Sequence, residues 1–364
     1  MIVQDVIDHI EELCPTYYAE DFDNTGLLVG EKTARVTGIL VTLDTLENVV
    51  EEAIQKKCNL IVSFHPILFS GLKKLTGATY VERVVMKALR HEIHIYAMHT
   101  ALDNNFHGVN ARICDVLGLV DRKILIPKQK TIKKLVTYVP HKQLESVRQA
   151  LFDAGAGAIG NYDHCSFNLS GIGSFRPGED TNPTLGEKGT THFEAETLLS
   201  MIFPAHLEKK ILAELFANHP YEEVAYEITT LENTNEYIGM GMTGILKTPM
   251  KEQDFLQHLK EKMKVSCIRH SALLDKQVSS VAVLGGSGAF AIEAAKSAGV
   301  QFYITADVKY HQFYQAEKKL VIADIGHYET EQFTKNLLVE YLKEKIHNFA
   351  IVLSDTNTNP IKYF

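Results

Sequence analysis

The sequence predicts an α/β protein: a duplicated α/β core with mostly parallel sheets, interrupted by an inserted ferredoxin-like α+β domain. Three observations carry that expectation. Apolar strand-sized runs alternate with amphipathic helical runs at both ends of the chain, as βαβ units do. The rhythm changes over residues 128–235, and histidines and carboxylates recur just after strand-sized runs in both halves. At 364 residues the chain can hold two or three domains, each burying its own core.

Val3, Val6, Ile7, Ile10 and Leu13 recur at helical spacing, so the spacing predicts an opening helix over 3–14. The segment DFDNTGLLVG (21–30) reads as a loop. Next, GILVTLD reads as a buried strand, LENVVEEAIQKKC as a helix with Leu46, Val49, Val50, Ala53 and Ile54 inward, and NLIVSF as a second strand. A helix near 80–91, a strand over 93–98 and a helix around GVNARICDVLG continue the alternation. Toward the other end, VSSVAVLGG, QFYITA and KLVIADIG read as strands, AFAIEAAKSAG as a helix, and a long helix is expected from about 329 to 346. Laid side by side, the run ending in VSFHP matches the run ending in ITADVKYH, and IYAMHT matches VIADIGHY. Two diverged copies of one unit are the implied origin.

Between them the order is strand (TIKKLVTYVP), helix (KQLESVRQALFDAG), a Gly-rich strand pair (HCSFNLSGIGSF), a polar turn-rich stretch, strand, helix (HLEKKILAELFANH) and strand (EVAYEITTL). Two β-α-β halves in that order describe a split βαβ domain. The expected organisation is residues 1–127 as the first half of the core, 128–235 as an insert at a surface loop, and 236–364 as the second half.

With 37 basic and 45 acidic side chains the chain carries a formal charge of −8, which disfavours phosphate backbones, and no basic run offsets it. Nucleic acid is not an expected partner. The start, MIVQDVIDHIEEL, carries acids where a leader peptide needs basic residues, and no apolar stretch approaches a membrane span, so a cytoplasmic location and no membrane partner are expected. Five cysteines without a C-x-x-C suggest neither a disulfide framework nor a thiolate zinc site.

Ligand-binding groups of open parallel sheets collect at the carboxyl ends of strands. Four such ends carry metal-capable side chains: His65 after LIVSF; His99 and Asp103 in MHTALDNNFHG; Asp307 and His311 in TADVKYH; and His327 and Glu331 in GHYETE. Spacing of i, i+4 puts His327 and Glu331 one helical turn apart, close enough to grip one ion. Imidazole and carboxylate without thiolate suit Zn, Fe, Mn, Co or Ni and do not choose among them. Two ions sharing a bridging carboxylate also fit. GGSG (285–288) lacks the third glycine of a dinucleotide fingerprint and the lysine of a P-loop, and reads as a tight turn, with anion contact by backbone N–H groups as the alternative.

The segments DNTGLLVG, SFHPILF, MHTALDNNFHGVN, LGGSG and GHYETE resemble, in order and spacing, the Nif-three-like family, also known as type 2 GTP cyclohydrolase I homologues. The insert, through GAGAIGNYDHCSF, GIGSF, NPTLGEKG and HPYEEVAYEI, resembles the PII-like or CutA-like domain of the longer bacterial members. The resemblance implies a dinuclear metal site in each subunit of a toroidal homohexamer, with His65, Asp103, His327 and Glu331 as ligands. It implies one or two divalent ions as cofactors and a small-molecule substrate, a nucleotide such as GTP, attacked by metal-activated water. Glu331 is the expected bridge, and His99 is expected to move protons or orient a ligand. The rival expectation is a hexameric metal-binding regulatory or scaffold protein whose insert senses a small molecule. Two positions depart from the family pattern. Phe64 stands where members carry a second histidine before the proline, and Phe22 where tryptophan is common. Loss of an imidazole ligand at position 64 should weaken one of the two metal positions.

Overall fold

A computed structural model describes residues 1–364. In the first segment, α1 (Val3–Leu13) turns Val3, Val6, Ile7 and Ile10 inward. It is followed by β1 (Gly26–Val29), β2 (Ile39–Thr42), α2 (Glu47–Gln55), β3 (Leu60–Ser63), α3 (Tyr80–Arg90) and β4 (His94–Ala97). Then come α4 (His99–Asp103), α5 (Val109–Leu117) and β5 (Leu119–Pro127). The middle of the chain forms β6 (Ile132–Pro140), α6 (Leu144–Asp153), β7 (Phe167–Phe175), β8 (His192–Pro204), α7 (Glu208–Asn218) and β9 (Tyr226–Thr230). The last segment forms β10 (Gly239–Lys251), α8 (Glu252–Lys262), β11 (Arg269–His270), β12 (Gln277–Ser287), α9 (Ile292–Ser297), β13 (Phe302–Ala306) and β14 (Val321–Asp324). It ends with α10 (His327–Glu331), α11 (Thr334–Lys345) and β15 (Ile351–Leu353).

Two compact units result: Met1–Pro127 with Glu236–Phe364, and Lys128–Asn235. The first unit holds two sheets, ordered β1-β4-β3-β2-β15 and β11-β14-β13-β12-β10-β5. In one, β15, β2, β3 and β4 run parallel, in a register that places Val41 beside Val62 and Val62 beside Tyr96. In the other, β12, β13 and β14 run parallel, with Val283 beside Ile304 and Ile304 beside Ala323. The two parallel trios therefore share one strand order, and each is flanked by an antiparallel edge strand, β1 or β11. That is the duplicated core. Only the first sheet is mostly parallel, because β5 and β10 join the second as antiparallel strands.

Alternation along the buried strands divides the core. Leu60 and Val62 of β3, Tyr96 of β4, Val281 and Val283 of β12 and Ile304 of β13 share one apolar cluster with α1, α5, α8 and α11. Ile61 and Ile95 face the other way, against α2 and α3. Ala282, Tyr303 and Ile322 likewise face α9. Each fully buried Leu, Ile or Val in these layers contributes about 1.5–3 kcal/mol relative to exposure.

Four local expectations are corrected. The 21–30 segment is not all loop: Gly26–Val29 pairs antiparallel with β4, Gly26 opposite Ala97, and so covers that sheet's edge. The expected Gly-rich strand pair is the single strand β7, paired along its whole length with β8. The expected long helix is broken at Gln332–Phe333 into α10 and α11. GGSG is not a free turn, since Gly285–Ser287 close β12. Of the cysteines, Cys14, Cys58 and Cys114 are buried core thiols and none is bridged.

The second unit has the sheet order β7-β8-β6-β9, all antiparallel, with α6 and α7 packed by Val147, Leu151, Ile211 and Leu215 against Leu135, Leu199 and Phe203. This is the strand order of a split βαβ fold. In the first unit, Pro127 and Gly239 are Cα partners in the β5–β10 ladder, so the chain leaves and re-enters at adjacent residues. Replacing 128–235 by a short hairpin loop is therefore expected to leave a core that melts cooperatively by calorimetry. Aggregation of every such variant would contradict it.

Candidate metal centre

The carboxyl ends of β3, β4, β13 and β14 converge. His65 follows β3, held by backbone bonds of its N–H to Leu43 O at 2.9 Å and of Ser63 Oγ to its carbonyl at 2.8 Å. His99 opens α4 directly after β4, in a left-handed conformation (φ 30°) that a non-glycine residue rarely adopts. Asp103 closes the same helix. His327 opens α10 after Gly326, whose φ of 98° permits the turn out of β14.

Glu331 is the centre of the arrangement. Its side chain is 3% exposed, and its Oε2 lies 3.1 Å from His65 Nε2 and 3.3 Å from His327 Nε2. His65, His327 and Glu331 present ligand atoms all within 4.8 Å of one another. The backbone is shaped to admit them: a Cβ on Gly286 (φ 69°) would come within 2.5 Å of Glu331 Oε1 and 3.3 Å of His327 Nε2. Gly286 N–H is anchored 2.8 Å from Thr330 Oγ1, and Gly285 N–H donates to Asn110 Oδ1 at 3.0 Å. The close backbone approach is what the GGSG glycines provide.

Each histidine is oriented by an aspartate at Nδ1. Asp44 lies 2.8 Å from His65, Asp307 2.7 Å from His327, and Asp23 2.8 Å from His99. Asp44 is fixed in turn by the Thr358 hydroxyl at 2.5 Å, and Asp23 by Thr100 N–H at 3.0 Å. With Nδ1 engaged, Nε2 is the ring atom left for a ligand, which is how carboxylates set metal-binding imidazoles.

Two carboxylate oxygens set the charge balance of the site. Asp103 Oδ1 is shut off from solvent and accepts no hydrogen bond, whereas Glu331 Oε2, equally shut off, is met by the Nε2 atoms of His65 and His327. A buried acceptor without a hydrogen bond, such as Asp103 Oδ1, costs about 1–3 kcal/mol. The nitrogen and oxygen donors of His65, His327 and Glu331 are a set that suits a divalent cation. The charges agree. Burial pushes the Glu331 carboxyl up, but His65 and His327 outweigh it and hold it down at about 2. Burial also opposes charge on His65, yet Glu331 and Asp44 hold its pKa up at about 10; on His327, Glu331 and Asp307 hold it up at about 9. Asp103 is pushed well above the usual carboxylate range by burial and then by the Glu331 charge. The two imidazoliums therefore stand in for a cation.

Of the residues the sequence singled out, the structure gathers His65, His327 and Glu331 into one group; Asp103 stands outside that group, with a buried oxygen that accepts no hydrogen bond and a carboxyl that feels the Glu331 charge. His99 lies beside them, its ring 5.3 Å from that of His65. Asp307 grips His327 instead of joining the ligand atoms, and His311 is exposed among Tyr310 and Tyr314. Phe64 is fully buried, its ring 4.9 Å from His65 and 5.6 Å from His99, an apolar wall at the position where the family pattern carries a second histidine. The sequence reading missed Asp23 and Asp44. Their only signal was position, Asp44 at the end of GILVTLD and Asp23 in the DNTG loop.

Because both imidazoles are protonated at neutral pH without metal, ion entry must release protons. Calorimetric titration in buffers of differing ionisation enthalpy should show proton release at pH 7, with affinity climbing as pH approaches the raised values of about 9 and 10. Affinity independent of pH over that range would contradict the arrangement.

The model of the family Duf34/NIF3 (NGG1p interacting factor 3) matches residues 1–360. A Bacillus subtilis (strain 168) protein named GTP cyclohydrolase 1 type 2 homolog is 37% identical over 99% of this chain and 98% of its own length. A Listeria innocua protein of the same name is 36% identical over 97% of this chain and 96% of its own. Among solved structures, a Bacillus cereus protein described as related to NIF3 superposes with a TM-score of 0.87 at 35% identity, covering 100% of this chain and 99% of that one.

Proposed function

This chain belongs to the DUF34/NIF3 family, and on that premise we propose that its buried histidine–carboxylate centre is the active site of a metal-dependent hydrolase acting on GTP or a related nucleotide. The observation that carries the reading is the convergence of His65, His327 and the buried Glu331 carboxylate, together with the buried Asp103 Oδ1 that accepts no hydrogen bond. The name borne by the Bacillus subtilis relative directs the choice of substrate.

His65, Asp103, His327 and Glu331 would hold the ion, with Zn, Fe, Mn, Co or Ni compatible. A divalent ion bound there supplies Lewis acidity that brings proton loss from water near neutral pH. The protein's own groups do the rest. Asp44 and Asp307 fix the orientation of the two ligand rings. His99, held at Nδ1 by Asp23, keeps Nε2 for taking or delivering a proton. Phe64 keeps that corner dry. Metal-loaded protein should convert GTP, or another member of a nucleotide and phosphoester panel, in a metal-dependent way. Glu331→Gln should lower the rate about 100-fold or more, since even groups that only support ligands cost 10–100-fold. No metal-dependent product from the panel would sink the hydrolase reading.

Phe64 replaces an imidazole donor with an apolar ring. One ion held tightly and a second held weakly are therefore the expected state. Phe64→His should raise the ions retained after dialysis toward two per chain, measured by metal analysis. Two ions already retained by the native chain would show that another side chain compensates.

A homohexamer is proposed as the working assembly. Exposed Phe167, Leu169 and Ile172 on β7 and Phe193 on β8 supply apolar surface that association would cover. Light scattering should report six times the chain mass of 40.8 kDa, and a monomer at micromolar concentration would refute it.

A further inference from the structure

The unit formed by residues 128–235 contains a cavity of about 410 Å³, in the size range of small-molecule sites. Its chemistry is uneven. Glu196 on β8, only 8% exposed, lines it. Glu196 Oε1 accepts the Tyr221 hydroxyl at 2.7 Å, and Oε2 lies over Gly173, where any Cβ would collide with it. No lysine or arginine forms a salt bridge with this carboxylate. Arg176, the one cationic side chain of the lining, makes none. His219 is neutral: burial lowers its pKa, its Nδ1 accepts Tyr221 N–H at 3.2 Å, and its Nε2 bonds Tyr138 O at 3.0 Å.

A buried carboxylate without a cation is costly to keep, and glycine at 173 is what lets it lie there. Glu222 and Glu223 line the same cavity, so three carboxylates face one guanidinium. The other walls are aromatic. Tyr138 and Phe175 line it with Tyr221, the last two rings 5.5 Å apart and tilted by 59°. Aromatic faces over a buried acid attract cations and cover a flat apolar body.

We propose that this cavity binds a small organic cation, an amine or amidine carried on an apolar ring-sized body, with Glu196 receiving the charge and Tyr138, Phe175 and Tyr221 enclosing the body. The site is separate from the metal centre and does not depend on its chemistry.

The test uses the full chain and four probes in two matched pairs: benzamidine with benzamide, and tyramine with its neutral alcohol, tyrosol. Binding is followed by saturation-transfer NMR and calorimetry. At least one cation should bind at millimolar concentration or below and exceed its neutral match by about tenfold or more, the worth of a charge-assisted contact. Glu196→Gln should abolish that preference, and Phe175→Leu should weaken the cation severalfold while keeping the preference. Should Glu196→Gln fail to fold, the matched pairs on the native chain still decide. Equal binding of cation and neutral match, no binding of either cation, or unchanged preference in Glu196→Gln would overturn the proposal.

Discussion

The Glu331 carboxylate, nearly closed off from water between His65 and His327, is the constraint on which the rest of the first unit depends. One of its neighbours rises from the sheet containing β3 and the other from the sheet containing β14, so the two halves of the core must both be in register for the charges to meet. Removing either imidazole leaves the buried carboxylate less compensated, which is destabilising. Without metal the imidazoliums neutralise Glu331, and Asp103 is left as the group that cannot ionise comfortably. The two carboxylates thus differ in their surroundings: two imidazoles face Glu331, while burial and the Glu331 charge both oppose ionisation of Asp103.

The scaffold gives up conformational comfort to build it. His99 (φ 30°) and Asp307 (φ 55°) both sit in the left-handed region immediately beyond parallel strands, and Gly286 and Gly326 occupy positive φ beside them. Left-handed residues occur elsewhere in the chain as well, but His99 is a site histidine and Asp307 the aspartate that orients another. The tail after β15 adds a long-range tie. Ser354 and Thr356 hydroxyls and the Asp355 N–H bind buried Glu52, which they and Lys56 hold at about 2 against the upward push of burial. A little further on, the Thr358 hydroxyl grips the aspartate that orients His65.

Much of this was legible in the sequence. Buried parallel strands such as LIVS and FYITA are continuous apolar runs, and amphipathic helices such as α1 show their spacing directly, so the alternation at both ends disclosed the core. Residues past those runs drew notice for the same reason, and three of them, His65, His327 and Glu331, stand together in the structure. What escaped was set by partners distant in sequence. The four-residue β1 is a strand only because β4 offers an edge, and β5 only because β10 does. Nothing local marks Asp23 and Asp44 as the holders of His99 and His65, at separations of 76 and 21 residues. Gly286 reads as a turn until Glu331 is placed against it. No membrane crossing was expected, and no helix is long and apolar enough for one.

The most direct measurement is metal analysis of the full chain purified without chelator and dialysed extensively, beside Glu331→Gln and Asp103→Asn, with folding of each checked by circular dichroism. The account predicts at least one divalent ion retained per native chain and its loss from folded Glu331→Gln, with Asp103→Asn weakened as well. Native protein free of metal that takes up no added Zn, Fe, Mn, Co or Ni would contradict it, and so would a folded Glu331→Gln that retains its ion unchanged.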